Sequence, residues 1–493
     1  MVQPEHRLIE ERKRKLETIR SMGINPYPYS FEQKHHSDEI LLKYSKLKTE
    51  EKTNDKVLMA GRITALRQMG KASFGHIQDS TGKMQFYIRE DETGNKNYAL
   101  FKLLDIGDII GIKGTVFKTK TGEVSVRIKE LELLSKALHP LPEKWHGLKD
   151  PEIRYRQRYL DLISNPEVSE VFKKRAVIID EIRNFLKEDS FIEVDTPTLQ
   201  PVYGGAEAKP FTTKLNALNM NVYLQISPEL YLKRLIIGGM EKVFFIGKNF
   251  RNEGVDRTHN PEFTMMECYE SYADYNKVMQ RVENMISSIC KKVNGAAKIK
   301  YGNIEIDFKA PWKRMTMFEA IKKYAHLDVE KMSEIELKKK VRELGLEMGS
   351  KDEMINSIFE ELVEKHLIQP TFITDYPITI CPLTKVHRKN KNLVERFEAF
   401  VNGTEIANAY SELNDPVEQE KRFSIQEEKR KEGKEEAHPK DKDFVEAMHY
   451  GMPPCGGVGI GIDRLIMFLT NQHSIRDVIP FPFMKPIEEN KNI

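Results

Sequence analysis

Between residues 57 and 135 the chain runs in short stretches where apolar and polar residues alternate: "VLMAGRITALR", "SFGHIQD", "MQFYIRE", "DIIGIKGTVFKT" and "VSVRIKELELL". A period of two is the mark of half-buried strands, and the turns "STGK" and "KTGE" separate them with the glycine a tight reversal needs. Five such strands predict a small closed barrel of the OB type. Phe74, Phe86 and Tyr87 fall on these strands. Each is open to two readings, core residue or platform on which a nucleic-acid base stacks. Ahead of the barrel, residues 3–23 predict a highly charged helix with a narrow apolar stripe of Leu8, Ile9, Leu16 and Ile19. Its basic run Arg12–Lys15 fits either a solvated face docked on a neighbour or an arm that touches nucleic acid.

The pattern changes past a Pro-rich, charged stretch, "HPLPEKWHGLKDPEIRYRQRYLDL" (His139–Leu162), which reads as a linker feeding a helix. From Glu167 onward, long helices are predicted over 167–188, 274–292 and 415–435. Strands are predicted near 222–226, 242–246, 262–269, 395–401 and 404–411. Strand runs adjoin one another without a βαβ rhythm, so the expected fold is α+β, a mostly antiparallel sheet flanked by helices. The divisions are a charged helical extension (1–50), an OB-type barrel (51–138), a linker (139–166) and a large second domain (167–493).

Composition narrows the function only slightly. A chain of 493 residues has room for two or three domains. Its formal charge of +3 is too small to announce nucleic-acid binding, so any basic surface is local. The four cysteines are far apart and form no C-x-x-C, which disfavours disulfides and zinc and fits a reducing compartment. No apolar run approaches membrane-spanning length, and the first residues lack the apolar core of a signal peptide. These features predict a cytoplasmic protein with no membrane partner.

Four segments carry chemistry. "FRNEG" (Phe250–Gly254) and "HNPEF" (His259–Phe263) follow the apolar run "KVFFIG" and make a loop between two strands. Arg251 there suits a phosphate, because its planar fork offers parallel hydrogen bonds, and Phe263 offers a face to a planar base. An Arg–Glu pair on a surface hairpin is the plain alternative. "PPCGGVGIGIDRLIMFL" (Pro453–Leu469) puts a glycine-rich strand before a helix whose first turn carries Arg464; it serves either an anion or close helix–sheet packing. "VERFEAFVNGTEIANAYSELND" (Val394–Asp415) contains Asn402–Gly403, a strong two-residue hairpin turn. With a type I′ turn, Val401 faces Thr404 and Phe400 faces Glu405, which leaves Glu398 on the same face as Glu405. Two carboxylates so close call for a cation, and magnesium with nucleotide phosphates suits them; an exposed acidic hairpin is the alternative. Asn408 and Glu412 have the opposite parity to Glu405 and join this face only if the strand bulges near Ile406–Ala407. Finally, "GGAEAKPF" and "LQISPELYLKRLIIGG" (Gly204–Gly239) place Ser227 as a helix cap, Pro228 at the first helical position and Glu229 in the first turn, where capping alone accounts for the glutamate. No G-x-x-x-x-G-K-[ST] is present, so a P-loop does not provide the nucleotide site.

Taken together and in this order, the segments resemble the signature motifs of the class II aminoacyl-tRNA synthetases. "FLKEDSFIEVDTPTL", which carries Pro197, resembles the first, dimer-forming motif; "FRNEG…HNPEF" resembles the second and "GGVGIGIDR" the third. The OB-type domain is similar to that of the aspartyl, asparaginyl and lysyl subgroup. "GGAEAKPF", "SPELYLKR", "MMECY", "VERFEAF" and "TEIANAYSELND" look specifically lysyl. The resemblance covers roughly residues 57–490. It implies an ATP-dependent ligase, a homodimer, that joins L-lysine to tRNA(Lys) with magnesium. Arg251 would hold the α-phosphate and the amino-acid carboxylate, and Glu253 would meet the adenine edge, with His259 and Asn260 on the ATP side. Phe263 and Arg464 would sandwich the adenine, making Arg251 and Arg464 the catalytic pair. Glu398 and Glu405 would bind magnesium. Gly205 and Glu229 would meet the lysine α-amino group, Tyr269 and Glu412 its ε-ammonium, and Glu267 and Asn408 would line the same pocket. Arg62, Phe74, Gln85 and Glu130 would read the anticodon. The chain departs from many bacterial relatives at Thr258, where they carry an arginine before the histidine; Arg257 is the neighbour that would replace it. Two other readings start from the same motifs: an enzyme that adenylates lysine for another acceptor, and a non-catalytic paralogue. The barrel argues against the first, and the retained arginines and acidic residues against the second.

Overall fold

The structure is a computed structural model and describes residues 4–142, 148–433 and 436–486. Residues 143–147 of the predicted linker and 434–435 at the end of the predicted 415–435 helix lie outside the described residues. The chain forms two compact units, Met1–Lys149 and Asp150–Ile493.

In the first unit, helix α1 (Pro4–Ser21) buries Leu16 and Ile19. Its Arg12 is also nearly buried, donating to the carbonyl oxygens of Ile106 at 3.0 Å, Ala137 at 3.2 Å and His139 at 2.8 Å. Lys15 reaches Asp105 at 2.7 Å. Part of the basic run therefore docks the helix on its neighbour, and Lys13 and Arg14 stay exposed. Strands β1 (Lys52–Met69), β2 (Ala72–Gln78), β3 (Lys83–Arg89), β4 (Ile109–Lys118) and β5 (Val124–Ser135) close a barrel in the order β1-β2-β3-β5-β4. Alternation decides the aromatics. Met84, Phe86 and Ile88 point into the core with Ile77, Val126 and Ile128. Phe74 and Tyr87, directly paired across β2 and β3, point out with ring centroids 4.9 Å apart. Phe86 is thus core and is no stacking platform.

The second unit is built on an eight-stranded sheet. After helix α2 (Pro166–Glu188) come β6 (Ile192–Glu193), helix α3 (Glu229–Ile237), β7 (Lys242–Phe250), β8 (Glu262–Ser271), helix α4 (Tyr275–Asn294), β9 (Lys313–Thr316), β10 (Thr371–Pro377), β11 (Leu393–Val401), β12 (Thr404–Ser411), β13 (Cys455–Gly461) and helix α5 (Ile462–Leu469). The sheet order is β9-β10-β11-β12-β13-β8-β7-β6, antiparallel except at the β9/β10 and β7/β6 pairs. One face is apolar. Met266 and Cys268 of β8, Phe397 and Ala399 of β11 and Val458 and Ile460 of β13 pack there against α2, α4 and α5. Helix α4 begins at Asp274, whose carboxylate accepts from the N–H groups of Asn276 and Lys277, and ends at Gly295 with φ +78°.

The other face is polar, and the β11–β12 hairpin shows how the sequence makes it so. Asn402 and Gly403 both have positive φ (48° and 70°), as a type I′ turn requires. Val401 faces Thr404 and Phe400 faces Glu405, and then the register slips: Ala399 faces Ala407 and Glu398 faces Asn408. Ile406 is the extra residue of a bulge, and it sits with Ala407 on the apolar side. Parity reverses at this point, so Glu405, Asn408 and Tyr410 share one face with Arg396 and Glu398.

Inward and outward aromatics in the barrel should differ sharply in their contribution to stability. Phe86→Ala should cost about 3–5 kcal/mol by leaving a cavity, and Phe74→Ala under about 1. Urea unfolding of the full chain followed by far-UV circular dichroism compares them. Equal losses would put Phe74 in the core.

Candidate active site

Two rungs cross the polar face of the sheet. One runs Glu398, Asn408, Gly459, Glu267 over β11, β12, β13 and β8; the next runs Arg396, Tyr410, Gly457, Tyr269. Each has a glycine at its centre, so the middle strand is a trough between functional side chains. A Cβ on Gly457 would come 2.3 Å from a Glu412 carboxylate oxygen and 2.3 Å from the Tyr269 ring, which bars every other residue. Over the trough lies a cavity of about 460 Å³, roomy enough for a nucleotide beside a small molecule.

One end is cationic. Arg251, at the end of β7, lies over the Phe263 ring with its guanidinium carbon 5.1 Å from the centroid. Its Nε is buried without a hydrogen-bond partner, an orphaned donor of the kind a bound anion satisfies. Burial pulls its pKa below the ordinary arginine value, against the attraction of Glu253, Glu405 and Glu267. Arg464, in the first turn of α5, donates to the Glu405 carbonyl at 2.8 Å and its carboxylate at 3.2 Å. Its other terminal nitrogen lies 3.3 Å from His259 Nε2. Asp463, next to it, accepts from the Thr264 N–H at 2.7 Å and also binds Arg175 of α2, so one carboxylate ties three distant segments together.

The loop between β7 and β8 is fixed from within. Asp256 accepts from the N–H groups of Thr258 and His259 and faces His259 Nδ1 at 2.8 Å. Burial opposes the charge, but these bonds win and hold the Asp256 carboxyl below the usual range. Asn260 lines the cavity, yet its amide is engaged with backbone, donating to the Glu262 carbonyl and accepting from the Phe483 N–H. Glu253, Thr258, His259 and Phe263 line the cavity as well. Arg257 is not among the lining residues; its carbonyl accepts the Ile475 N–H at 2.8 Å.

The other end is acidic. Glu229, at the start of α3, receives the Tyr410 hydroxyl at 2.6 Å and the Lys233 ammonium at 2.6 Å. Ser227 donates its hydroxyl to Glu267 at 2.9 Å and accepts the Glu229 N–H at 3.1 Å; the cap position itself falls on Pro228, one residue later than the sequence suggests, so Ser227 acts chiefly in positioning the carboxylate. Gly205, with φ +85°, passes so close that a Cβ would lie 2.7 Å from the Ser227 hydroxyl. Burial, reinforced by the negative charge of Glu229, pushes the Glu267 carboxyl up to about 8.

Sequence reasoning pairs the substrate ε-ammonium with Glu412 and the Tyr269 hydroxyl. In the structure Tyr269 donates to Glu267 at 3.0 Å, and the buried Glu412 pairs with Lys233 while both its carboxylate oxygens lack a hydrogen-bond partner. Gly205, Glu229, Arg251, Glu267, Tyr269 and Asn408 line the cavity, and Glu412 lies next to it, over the lining Gly457. The spacing "ELYLK" stacks Glu229 and Lys233 at i, i+4 and delivers an internal ammonium to Glu412.

Glu398 accepts the Tyr376 hydroxyl at 2.8 Å and pairs with Arg396. Burial, with a contribution from Glu405, holds its carboxyl above the usual range despite Arg396. Among the described residues no group of three or more His, Cys, Asp or Glu is arranged to hold a metal ion. Arg396 was missed in the sequence, although the strand's period of two puts it beside Glu398. Tyr410, Ser227 and the buried His438 are further lining residues without a sequence signal of their own.

On the barrel, Phe74, Tyr87 and Gln85 share one outer patch, since His76 faces Gln85 and Phe74 faces Tyr87. Arg62 faces Gln78 at the end of the same patch and donates to the Gly107 carbonyl at 2.8 Å. Glu130 pairs with Lys113 of β4, three residues along β5 from Arg127, the partner of Tyr87. A further acid, Glu123, takes the Gln85 amide at 2.6 Å and His76 at 2.9 Å. Its signal is the turn "TGE" that delivers β5 to β3.

An antiparallel sheet of this order, with a nucleotide-sized cavity between arginines and carboxylates and an OB barrel in the same chain, defines a class II aminoacyl-tRNA synthetase. Residues 150–485 match the family described as tRNA synthetases class II (D, K and N), and residues 57–134 match the OB-fold nucleic acid binding domain. The chain is 53% identical over 487 residues to the lysine–tRNA ligase of Pelotomaculum thermopropionicum, covering 98% of this chain and 95% of the relative. It is 52% identical over 484 residues to that of Thermoanaerobacter pseudethanolicus (97% and 96% covered) and 50% identical over 492 residues to that of Moorella thermoacetica (99% and 100%). The chain belongs to the lysine–tRNA ligase family.

The Glu267 environment predicts a pH effect. Its carboxyl keeps a proton to about pH 8 when folded and loses it near 4.5 when unfolded. Between these values the native state binds the extra proton, so stability should fall as pH rises through this window. Melting temperatures of the substrate-free protein from pH 5 to 8 should show this fall, and Glu267→Gln should flatten it. An unchanged slope in the variant would remove Glu267 as its cause.

Proposed function

We propose that this protein activates L-lysine with ATP and transfers it to the 3′ end of tRNA(Lys). The observation that carries this reading is the polarity of the cavity: an orphaned, ring-stacked guanidinium at one end and buried carboxylates at the other. Lysine and ATP together present the complement, with carboxylate and phosphates for Arg251 and ammonium groups for Glu229 and Glu267. Aspartate would bring a second anion to the acidic end.

In the first step the lysine carboxylate attacks the α-phosphorus and pyrophosphate leaves, giving lysyl-adenylate. Little covalent work falls to the protein, so positioning and charge neutralisation carry the rate. Arg251 aims at the α-phosphate and carboxylate, Phe263 offers its face to the adenine, and Arg464 closes over it. Glu253 takes the adenine edge, and His259 and Asn260 flank the ATP. In the second step the 3′-hydroxyl of the terminal ribose attacks the adenylate carbonyl and AMP leaves, its phosphate taking the hydroxyl proton.

Glu398 and Glu405 suit magnesium. Their oxygen donors and mutual repulsion fit a hard cation, and two carboxylates are enough for an ion that keeps waters and phosphate oxygens as its other ligands. Bound with ATP, magnesium would neutralise phosphate charge. The barrel residues Arg62, Phe74, Gln85 and Glu130 would take the anticodon, with Glu123 beside Gln85 as a further polar contact. Ile192 and Leu199, 53% and 51% exposed in the first motif, and Val177, 46% exposed on the helix α2 that leads into it, support a homodimer through this face. Cytoplasmic residence follows from the reaction, and among the described residues no helix is long and apolar enough to cross a membrane.

ATP–pyrophosphate exchange measured across the amino acids tests the reading: lysine should drive it, and preference for aspartate or asparagine would overturn it. Arg251→Ala should slow lysine-dependent exchange at least about 10²-fold, because a donor aimed at developing charge is lost. Parental exchange by the variant would dismiss the role. Phe74→Ala should weaken charging of tRNA by roughly 1–3 kcal/mol and leave exchange nearly untouched. Equal loss in both assays would reject base stacking.

A further inference from the structure

Thr258, His259 and Arg464 line the cationic end of the cavity, and Asp256 stands behind them without lining it. Its two carboxylate oxygens have separate partners. Oδ1 accepts from the N–H groups of Thr258 at 2.6 Å and His259 at 2.8 Å and from the Thr258 hydroxyl at 3.0 Å, which closes the turn. Oδ2 faces His259 Nδ1 at 2.8 Å. A carboxylate only accepts, so His259 carries its ring proton on Nδ1. Thr258 Oγ1, whose own proton goes to Asp256, accepts beside it at 3.1 Å. On the far side of the ring, Nε2 lies 3.3 Å from Arg464 Nη2. A guanidinium only donates, so Nε2 accepts. Arg464 Nη1 is already bound to the Glu405 carbonyl and carboxylate. Contacts at both terminal nitrogens fix the plane of the guanidinium; with Glu405 alone it could pivot about Nη1. The Arg251 guanidinium lines the same cavity and repels it, which favours such a pivot until an anion arrives.

We propose that Asp256 is a positioning residue for ATP, holding Arg464 in its receiving orientation through the ring of His259. The relay runs from Asp256 Oδ2 to His259 Nδ1–H, and from His259 Nε2 to Arg464 Nη2. Its effect is preorganisation: a guanidinium already in place has less freedom to lose when the nucleotide binds. Lysine, at the other end of the cavity, is indifferent to it. Thr258 takes part only as a member of the turn, its N–H and hydroxyl both directed at Asp256. This rests on the reading of the cationic end as the ATP site.

Asp256→Asn separates the turn from the relay. The asparagine oxygen can still accept the N–H groups of Thr258 and His259, so the turn survives, while its amide N–H group faces Nδ1. His259 then carries its proton on Nε2, and donor meets donor at Arg464. In lysine-dependent pyrophosphate exchange the KM for ATP should rise at least about fivefold and the KM for lysine stay within about twofold. His259→Ala should also raise the KM for ATP, and adding Asp256→Asn to it should change that value by less than about twofold, because the relay is already cut. A parental KM for ATP in Asp256→Asn overturns the proposal. So does a loss that persists in full in the His259→Ala background, or a KM for lysine that rises in step with that for ATP. A parent that exchanges pyrophosphate with no amino acid would overturn the nucleotide reading and the relay with it, whereas the variant results strike the relay alone.

Discussion

Carboxylates are costly to bury, and the polar face of the large sheet is organised around that cost. Taking one ion out of water costs several kcal/mol unless a partner and hydrogen bonds replace the solvent. Here the buried carboxylates around the cavity meet specific partners. Lys233 sits on Glu229 and Glu412, Ser227 and Tyr269 hydroxyls on Glu267, Arg396 and Tyr376 on Glu398. The compensation is graded. Glu398 has an arginine and a hydroxyl, and Glu267 has only hydroxyls and clings to a proton to about pH 8. Glu412 meets Lys233, yet burial still holds its carboxyl well above the usual range, and neither of its oxygens has a hydrogen-bond partner.

The glycines of β13 belong to the same scheme. Gly457 and Gly459 stand at the centre of the two rungs, and their lack of side chains lets Glu412, Tyr269 and Glu267 approach over the strand. The intervening Val458 and Ile460 point to the helices and hold the strand in the core. One alternating sequence thus supplies floor and foundation together.

Much of this was legible in the sequence. Barrel and sheet followed from a period of two, and the Asn402–Gly403 turn fixed the parity from which a shared face for Glu405 and Asn408 requires a bulge near Ile406–Ala407, where the register does slip. What was not legible has a common cause. The burial of Glu412 depends on an ammonium arriving from another element, and no pattern within "SELND" signals it. Glu123 ends the turn before β5 and Glu130 lies within the strand; only the pairing of β3 with β5 over Gln85–Tyr87 shows that Glu123 meets Gln85. Local rules give faces and turns. Partners across long sequence separations come from three-dimensional register.

Asp463 joins Arg175, 288 residues earlier, to Thr264, 199 residues earlier, and Arg464 beside it closes the nucleotide end. On the ribosome this means that the first two motifs emerge, and begin to fold, long before the strand that lies between β8 and β12 exists. Until the stretch 455–464 has been synthesised, the half-built sheet lacks its trough, and Glu267 of β8 and Tyr410 of β12 lie on strands that have no neighbour between them. A chain that stops short of this stretch has the walls of the site without its floor.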